Sequence, residues 1–244
     1  MKKHQKSTFF NLDAYKHLDE EELNEKHLWL LTNAYDNLDE WKMLAMRLNL
    51  TKQDVDVIEF NHSSSLDGLR ECFYQCLLKW RLIQPENCHF TFLCKIILNK
   101  FEKTNEFIEN LAQVMFFKEK SESREREYKQ ILNNYLGSLL SKNTNTKTRE
   151  LSLKLDEKHL WSASEFICLE WKSIARNLGL KESDLTDIQM RYARFEGIRE
   201  CCYQMLLLWS QYYSHNANLE YLCLSLIEMR FNLFAKKLLE QCLC

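Results

Sequence analysis

Glycine and proline are scarce: 244 residues hold four glycines and one proline, Pro85. Hairpins and phosphate-cradling loops lean on glycine for positive φ angles, so this shortage argues against β architectures and glycine-rich nucleotide sites. With 45% hydrophobic residues, the chain reads as helical. Charge of one sign is also missing. Lys and Arg number 33 against 35 Asp and Glu, a net charge of −2 that offers no electrostatic case for nucleic acid or an anionic membrane. Long apolar runs are absent too: no window approaches the roughly 18 apolar residues of a membrane span. The opening MKKHQKSTFFNLDAY lacks the apolar stretch of a secretory signal. A cytoplasmic location is the expectation, and the ten cysteines then read as reduced thiols packed as small hydrophobes, not as a disulfide scaffold.

What is present is a phrase written twice. GLRECFYQCLLKW, ending at Trp80, returns as GIRECCYQMLLLW, ending at Trp209, with nine of thirteen positions identical. All six tryptophans pair across the duplication: Trp29 with Trp161, Trp41 with Trp171, and Trp80 with Trp209. The offsets of 132, 130 and 129 residues shrink along the chain, as small loop deletions would make them.

Each copy reads as six short amphipathic helices. EKHLW opens both, preceded by Asn24 and Asp156, whose side chains suit helix N-caps. LDEWKMLAMRLNL answers to CLEWKSIARNLGL, and a polar segment follows in which Thr51 and Asp54 form a capping-box pattern. In the fourth helix Leu69, Cys72, Phe73, Cys76, Leu77 and Trp80 fall on one stripe, repeated by Ile198, Cys201, Cys202, Met205, Leu206 and Trp209. Asn87 and Asn216 are the expected caps of the fifth helix. The sixth centres on Phe107 to Val114 and on Phe231 to Leu239.

These features divide the chain into an N-terminal extension, 1–23, where a short helix is weakly signalled, a bundle over 24–117, a connecting segment over 118–155 and a second bundle over 156–244. The connector carries Tyr128, Ile131, Leu132, Tyr135, Leu136, Leu139 and Leu140 at helical spacing, a helix with one sticky face. Residues 141–150, SKNTNTKTRE, have no apolar side chain and read as a flexible link.

Tryptophan in the second helix within WKMLAMRLNL and WKSIARNLGL, together with a fourth helix ending in LLxW, resembles the death domain family. The resemblance covers both copies nearly end to end. It implies an all-α chain of two tandem six-helix antiparallel Greek-key bundles, without catalytic activity and without a cofactor. It also implies homotypic binding to death domain proteins (receptor tails, adaptors or kinases) in apoptotic or innate-immune signalling, and self-assembly by stacking. The chain departs from common adaptors in joining two modules of one kind.

Sharper chemistry fares poorly. Cys72, Cys76, Cys88, His89 and Cys94 have zinc-ligand types within a short stretch. Their counterparts Cys201, Met205, Ala217, Asn218 and Cys223 keep only two of the five, which favours packing. No cysteine sits beside a basic or glycine-rich turn that would activate it. The tail CLC looks like the prenylated double-cysteine ending of Rab-type small GTPases, but nothing else resembles one. The six tryptophans read as core anchors. By resemblance, the second and third helices and the loop before the fourth supply contact surfaces: Lys42, Arg47, Lys52, Asp54, Asp56 and Glu59 in the first copy, and Lys172, Arg176, Lys181, Asp184, Asp187 and Arg191 in the second. Two other roles stay open, a decoy that occupies partners without recruiting effectors, and a helical nucleic-acid- or metal-binding regulator using residues 118–155, where nine cations face five acids.

Overall fold

The computed structural model describes residues 12–20, 22–64, 67–100, 105–115, 118–139, 153–215 and 217–243. The chain divides into two compact units, Met1–Lys118 and Glu119–Cys244. The link expected over 141–150 lies outside the described residues, as do Leu140, Asn216 and Cys244.

In the first unit a 3-10 segment, Leu12–Glu20, precedes α1 (Glu25–Ala34), α2 (Trp41–Arg47), α3 (Lys52–His62), α4 (Gly68–Ile83), α5 (Phe90–Lys100) and α6 (Asn105–Met115). A long helix, α7 (Lys118–Leu139), starts at the last residue of the first unit and otherwise belongs to the second, where it is followed by α8 (Glu157–Ile167), α9 (Trp171–Asn177), α10 (Glu182–Tyr192), α11 (Ile198–Tyr212), α12 (Leu219–Glu228) and α13 (Asn232–Leu243). Among the described residues helices account for nearly all regular structure, and the one β-bridge, Lys154 with Asn218, is isolated. The architecture is all-α. The sticky face of α7 is used within the second unit: Leu132 and Leu136 are buried in that unit's core, so the segment read as a connector contributes to a bundle.

The helix starts obey local chemistry. Asn24 Oδ1 accepts the His27 amide at 3.0 Å, and the Asn24 amide donates back to His27 Nδ1 at 3.4 Å. Asp156 and His159 repeat the arrangement at 2.9 and 3.4 Å. Histidine thus closes a box usually completed by Glu or Gln. At α3 the Thr51 hydroxyl accepts the Asp54 amide at 3.1 Å, and Asp54 accepts the Thr51 amide at 3.0 Å. The second unit has Lys181 in place of Thr51, and Lys cannot accept. Only the return bond from the Lys181 amide to Asp184 persists, at 3.2 Å.

The fifth helices correct an expectation. The cap of α12 is Asn218, which accepts the Tyr221 amide at 2.8 Å, two residues beyond Asn216. The Leu219 amide donates to the Leu153 carbonyl at 3.0 Å, and this fixes where the helix can begin. Asn87 likewise caps nothing: it closes a 3-10 turn, Pro85–Asn87. Its role falls to Asp19 in the N-terminal segment, whose carboxylate accepts both the Thr91 amide, at 2.9 Å, and the Thr91 hydroxyl.

α4 packs against α1, α2 and α3, and α11 packs against α8, α9 and α10, so the duplicated phrase is the axis of each core. Cys72, Phe73, Cys76, Leu77 and Trp80 are buried, as are Cys201, Cys202, Met205, Leu206 and Trp209. The stripe stops short at its first position. Leu69 and Ile198 are exposed, because they stand in the opening turn where no neighbouring helix covers them. Glycine starts both helices for two different reasons. A Cβ on Gly68 would lie 2.2 Å from the Ser63 carbonyl oxygen, whereas Gly197 adopts φ of 86°.

Five of the six tryptophans, Trp29, Trp41, Trp80, Trp171 and Trp209, are buried. The sixth corrects the core reading, since Trp161 is 43% exposed. The inward stripe of α8 runs through Leu160, Ala163, Ser164 and Ile167, and Trp161 stands about 100° off it. Trp29 occupies the same angle on α1, which buries a wider face including His27.

Candidate interaction surface

The buried cysteines among the described residues are packing groups. Seven are buried, Cys72, Cys76, Cys88, Cys94, Cys201, Cys202 and Cys223, and burial pushes each thiol above its ordinary value, Cys88 to about 12 and Cys72 to about 11. At neutral pH they are protonated packing groups, and thiolate is the form that ligates metals or attacks. Among the described residues no three His, Cys, Asp or Glu side chains converge in a geometry that could hold a metal ion.

The charged residues of α2 and α3 separate into spent and available groups. Lys42 reaches Glu59 across the two helices, its ammonium also standing 5.7 Å from the Trp41 ring centroid. Asp54 is committed to Thr51 and to Lys79, the latter at 3.2 Å. Thr51, first by its hydroxyl, holds the Asp54 carboxyl below its ordinary value. Arg47, Lys52 and Asp56 are exposed, and Arg47 and Lys52 make no ion pair among the described residues. Lys52, Gln53, Asp56, Val57, Phe60 and Asn61 share one open flank of α3, where Phe60 is 87% exposed.

The second unit distributes its charges differently. Arg176, expected on a contact surface, is 3% exposed, and its Nε and a terminal nitrogen each meet Glu182 at 3.0 Å. The bidentate carboxylate satisfies the guanidinium and holds it inside, between the end of α9 and the first turn of α10. Asp184 is engaged with the backbone at Lys181. Lys172 is half-buried, 5.9 Å from the Trp171 ring centroid. Lys181, Asp187 and Arg191 are exposed, the last two within 3.9 Å of each other.

Several exposed apolar residues escape any reading based on charge. Phe60 and Met190 occupy the same duplicated position near the end of the third helix, and Met190 is 68% exposed. Phe195 follows in the loop before α11, with the Arg194 guanidinium 5.4 Å from its ring centroid. Their signal in the sequence is an apolar residue off the inward stripe.

Residues 157–241 match the family model for the Death domain. That stretch runs from the first residue of α8 into α13 and so spans the six-helix part of the second unit. No curated protein and no solved structure matches the chain. Death domains are non-catalytic modules that bind other death-fold domains, and no helix among the described residues is long and apolar enough to cross a membrane.

Proposed function

We propose that this chain is a non-enzymatic cytoplasmic signalling adaptor, carrying two death-fold modules over 24–117 and 156–244 and joining death domain proteins by homotypic contact in apoptotic or innate-immune signalling. The observation that carries the reading is the Death domain match over 157–241, on a bundle whose capped first helix and central fourth helix recur in the first unit. Exposed charges at Arg47, Lys52, Asp56, Lys181, Asp187 and Arg191 support docking, since they are not consumed in holding the bundles together.

Duplication makes the adaptor bivalent. Once one module has engaged, the other meets its target at an effective concentration set by the tether, so two weak contacts hold a receptor tail and an effector together. Affinity capture with the full chain from cells that express it tests this directly. Death domain proteins are expected among the captured partners, and a capture devoid of any death-fold protein refutes the adaptor reading.

A further inference from the structure

The corner between the first and second helices is built differently in the two units. In the first, α1 ends at Ala34 and a 3-10 turn, Leu38–Glu40, follows after a gap. In the second, the turn Cys168–Glu170 follows α8 at once, because Asp36 and Asn37 have no counterparts. The side chains at the corner change with it. Tyr35 and Phe73 of the first unit meet with ring centroids 4.8 Å apart, and Leu38 packs on the same core from a turn that lies against α4. Aligned on the tryptophans, Tyr35, Leu38 and Phe73 become Ile167, Cys168 and Cys202. Two apolar side chains at one corner have thus been exchanged together for two thiols, and only in the second unit.

These thiols differ in access. Cys202 is fully buried on α11, whereas Cys168 is half-buried, and its turn packs on both α8 and α11. Burial first, then the nearby Cys168 and Cys201, push the Cys202 thiol well above its ordinary value. Cys201 is the packing group common to both copies, since its counterpart Cys72 is also a buried cysteine. Packing alone asks for an apolar side chain at positions 168 and 202, not for sulfur at both. A thiol reached from solvent beside one that is sealed is the arrangement of an oxidisable cysteine and its resolving partner.

We propose that Cys168 and Cys202 are a reversible oxidation site that ties the Cys168–Glu170 turn to α11. The oxidant is a peroxide. The Cys168 sulfur attacks one peroxide oxygen, the O–O bond breaks, and the Cys168 proton leaves with the departing hydroxide as water, giving a sulfenic acid. The Cys202 sulfur then displaces the sulfenic hydroxyl, which takes up the Cys202 proton and leaves as a second water while the S–S bond forms. The two thiols lose two electrons and the peroxide gains them. A dithiol restores both thiols by exchange. The turn carries Leu169, 64% exposed, and leads directly into α9, so the link fixes a corner of the second unit's surface. The first unit, with Leu38 and Phe73 in these places, has no such link open to it, and the inference does not depend on which partner either unit binds.

Peptide mapping of the native full chain tests it. The chain is treated with hydrogen peroxide, remaining thiols are blocked with N-ethylmaleimide during denaturation, and disulfide-linked peptides are read by mass spectrometry. A Cys168–Cys202 link, removed by dithiothreitol, is expected as the dominant product. Cys201→Ala should keep a link to Cys168, which assigns it to Cys202 and not to the adjacent residue. Cys202→Ala should lose the link and leave Cys168 as a sulfenic acid that a dimedone probe captures. Cys168→Ser, at a half-buried position, should lose it too and keeps the test open should Cys202→Ala fail to fold. A Cys168 that stays reduced under peroxide, or that joins Cys201 or Cys242 in place of Cys202, overturns the pair.

Discussion

Arg176 and Glu182 form a bidentate ion pair beneath the surface of the second unit, both nitrogens 3.0 Å from the carboxylate, where the first unit places Met46 and Lys52. Breaking such a pair strands a buried charge, so Glu182→Ala is expected to destabilise the chain by about 3–5 kcal/mol. The double variant Arg176→Met/Glu182→Lys copies the first unit's solution and should regain most of that loss. Chemical denaturation of both variants decides it, and equal losses would show that the stranded cation is not the cause.

Duplicated tryptophans should differ in what they stabilise. Trp209 is fully buried and stacks with Tyr221 at a centroid distance of 6.1 Å, so Trp209→Ala should cost about 3–5 kcal/mol. Trp161→Ala removes a ring that is already partly in water and should cost about 1 kcal/mol or less. Thermal melts that lose the same amount for both would place Trp161 in the core after all.

Reversing Arg47 and Lys52 together should abolish partner binding with no fall in melting temperature, because neither side chain is buried or ion-paired among the described residues. Lys42→Glu is the contrasting control, since it also sets like charges together at Glu59. Pull-down and calorimetry read the two effects separately. Retained binding in the double reversal would remove this face from the partner contact.

Asp54 gives the first unit an acid-sensitive cap. Its carboxyl is held below the ordinary value of 3.8, first by the Thr51 hydroxyl, then by the Thr51 amide, with a smaller contribution from Lys79. A group whose folded pKa is depressed stabilises fully above its unfolded pKa and loses that contribution as pH falls through the folded value. Asp54→Asn should therefore melt below wild type at neutral pH, with the gap closing in the acid range. A gap of constant size from neutral to acid pH would assign the stabilisation to something other than the carboxylate.

Thiol labelling follows from burial. At neutral pH a maleimide should spare Cys72, Cys76, Cys88, Cys94, Cys201, Cys202 and Cys223 in the native chain and modify all of them after denaturation. Rapid native modification of Cys76 or Cys223, read by peptide mass spectrometry, would contradict the packing described for α4 and α12.

The features legible in the sequence are those decided within a turn or two of helix. Asn24, Thr51 and Asp156 announce helix starts because a cap and its amide lie three residues apart, and the stripe ending in Trp80 announces its inward face because helical angles accumulate regularly. What escapes is settled by distant neighbours. Periodicity gives Trp161 an angle but cannot say how wide a face its unit covers. Arg176 looks like any surface cation until a carboxylate six residues on turns back to meet it. Asn216 and Asn218 are equally good caps on paper, and a bond from Leu219 to Leu153 chooses between them. The contact face is the least legible part, since a free Arg47 and a captive Arg176 differ only in what surrounds them.

Asp19 reaches 72 residues along the chain to start α5, while Tyr15 lies 6.1 Å from Phe90 and Leu18 is buried in the same core. Anyone excising the first bundle at its first α-helix would thus cut away a clasp, stranding the Thr91 amide and baring the Phe90 ring. The natural seam for a stand-alone fragment runs ahead of Leu12, and a fragment trimmed at Asn24 would report the failings of an unbuckled bundle, not of the domain itself.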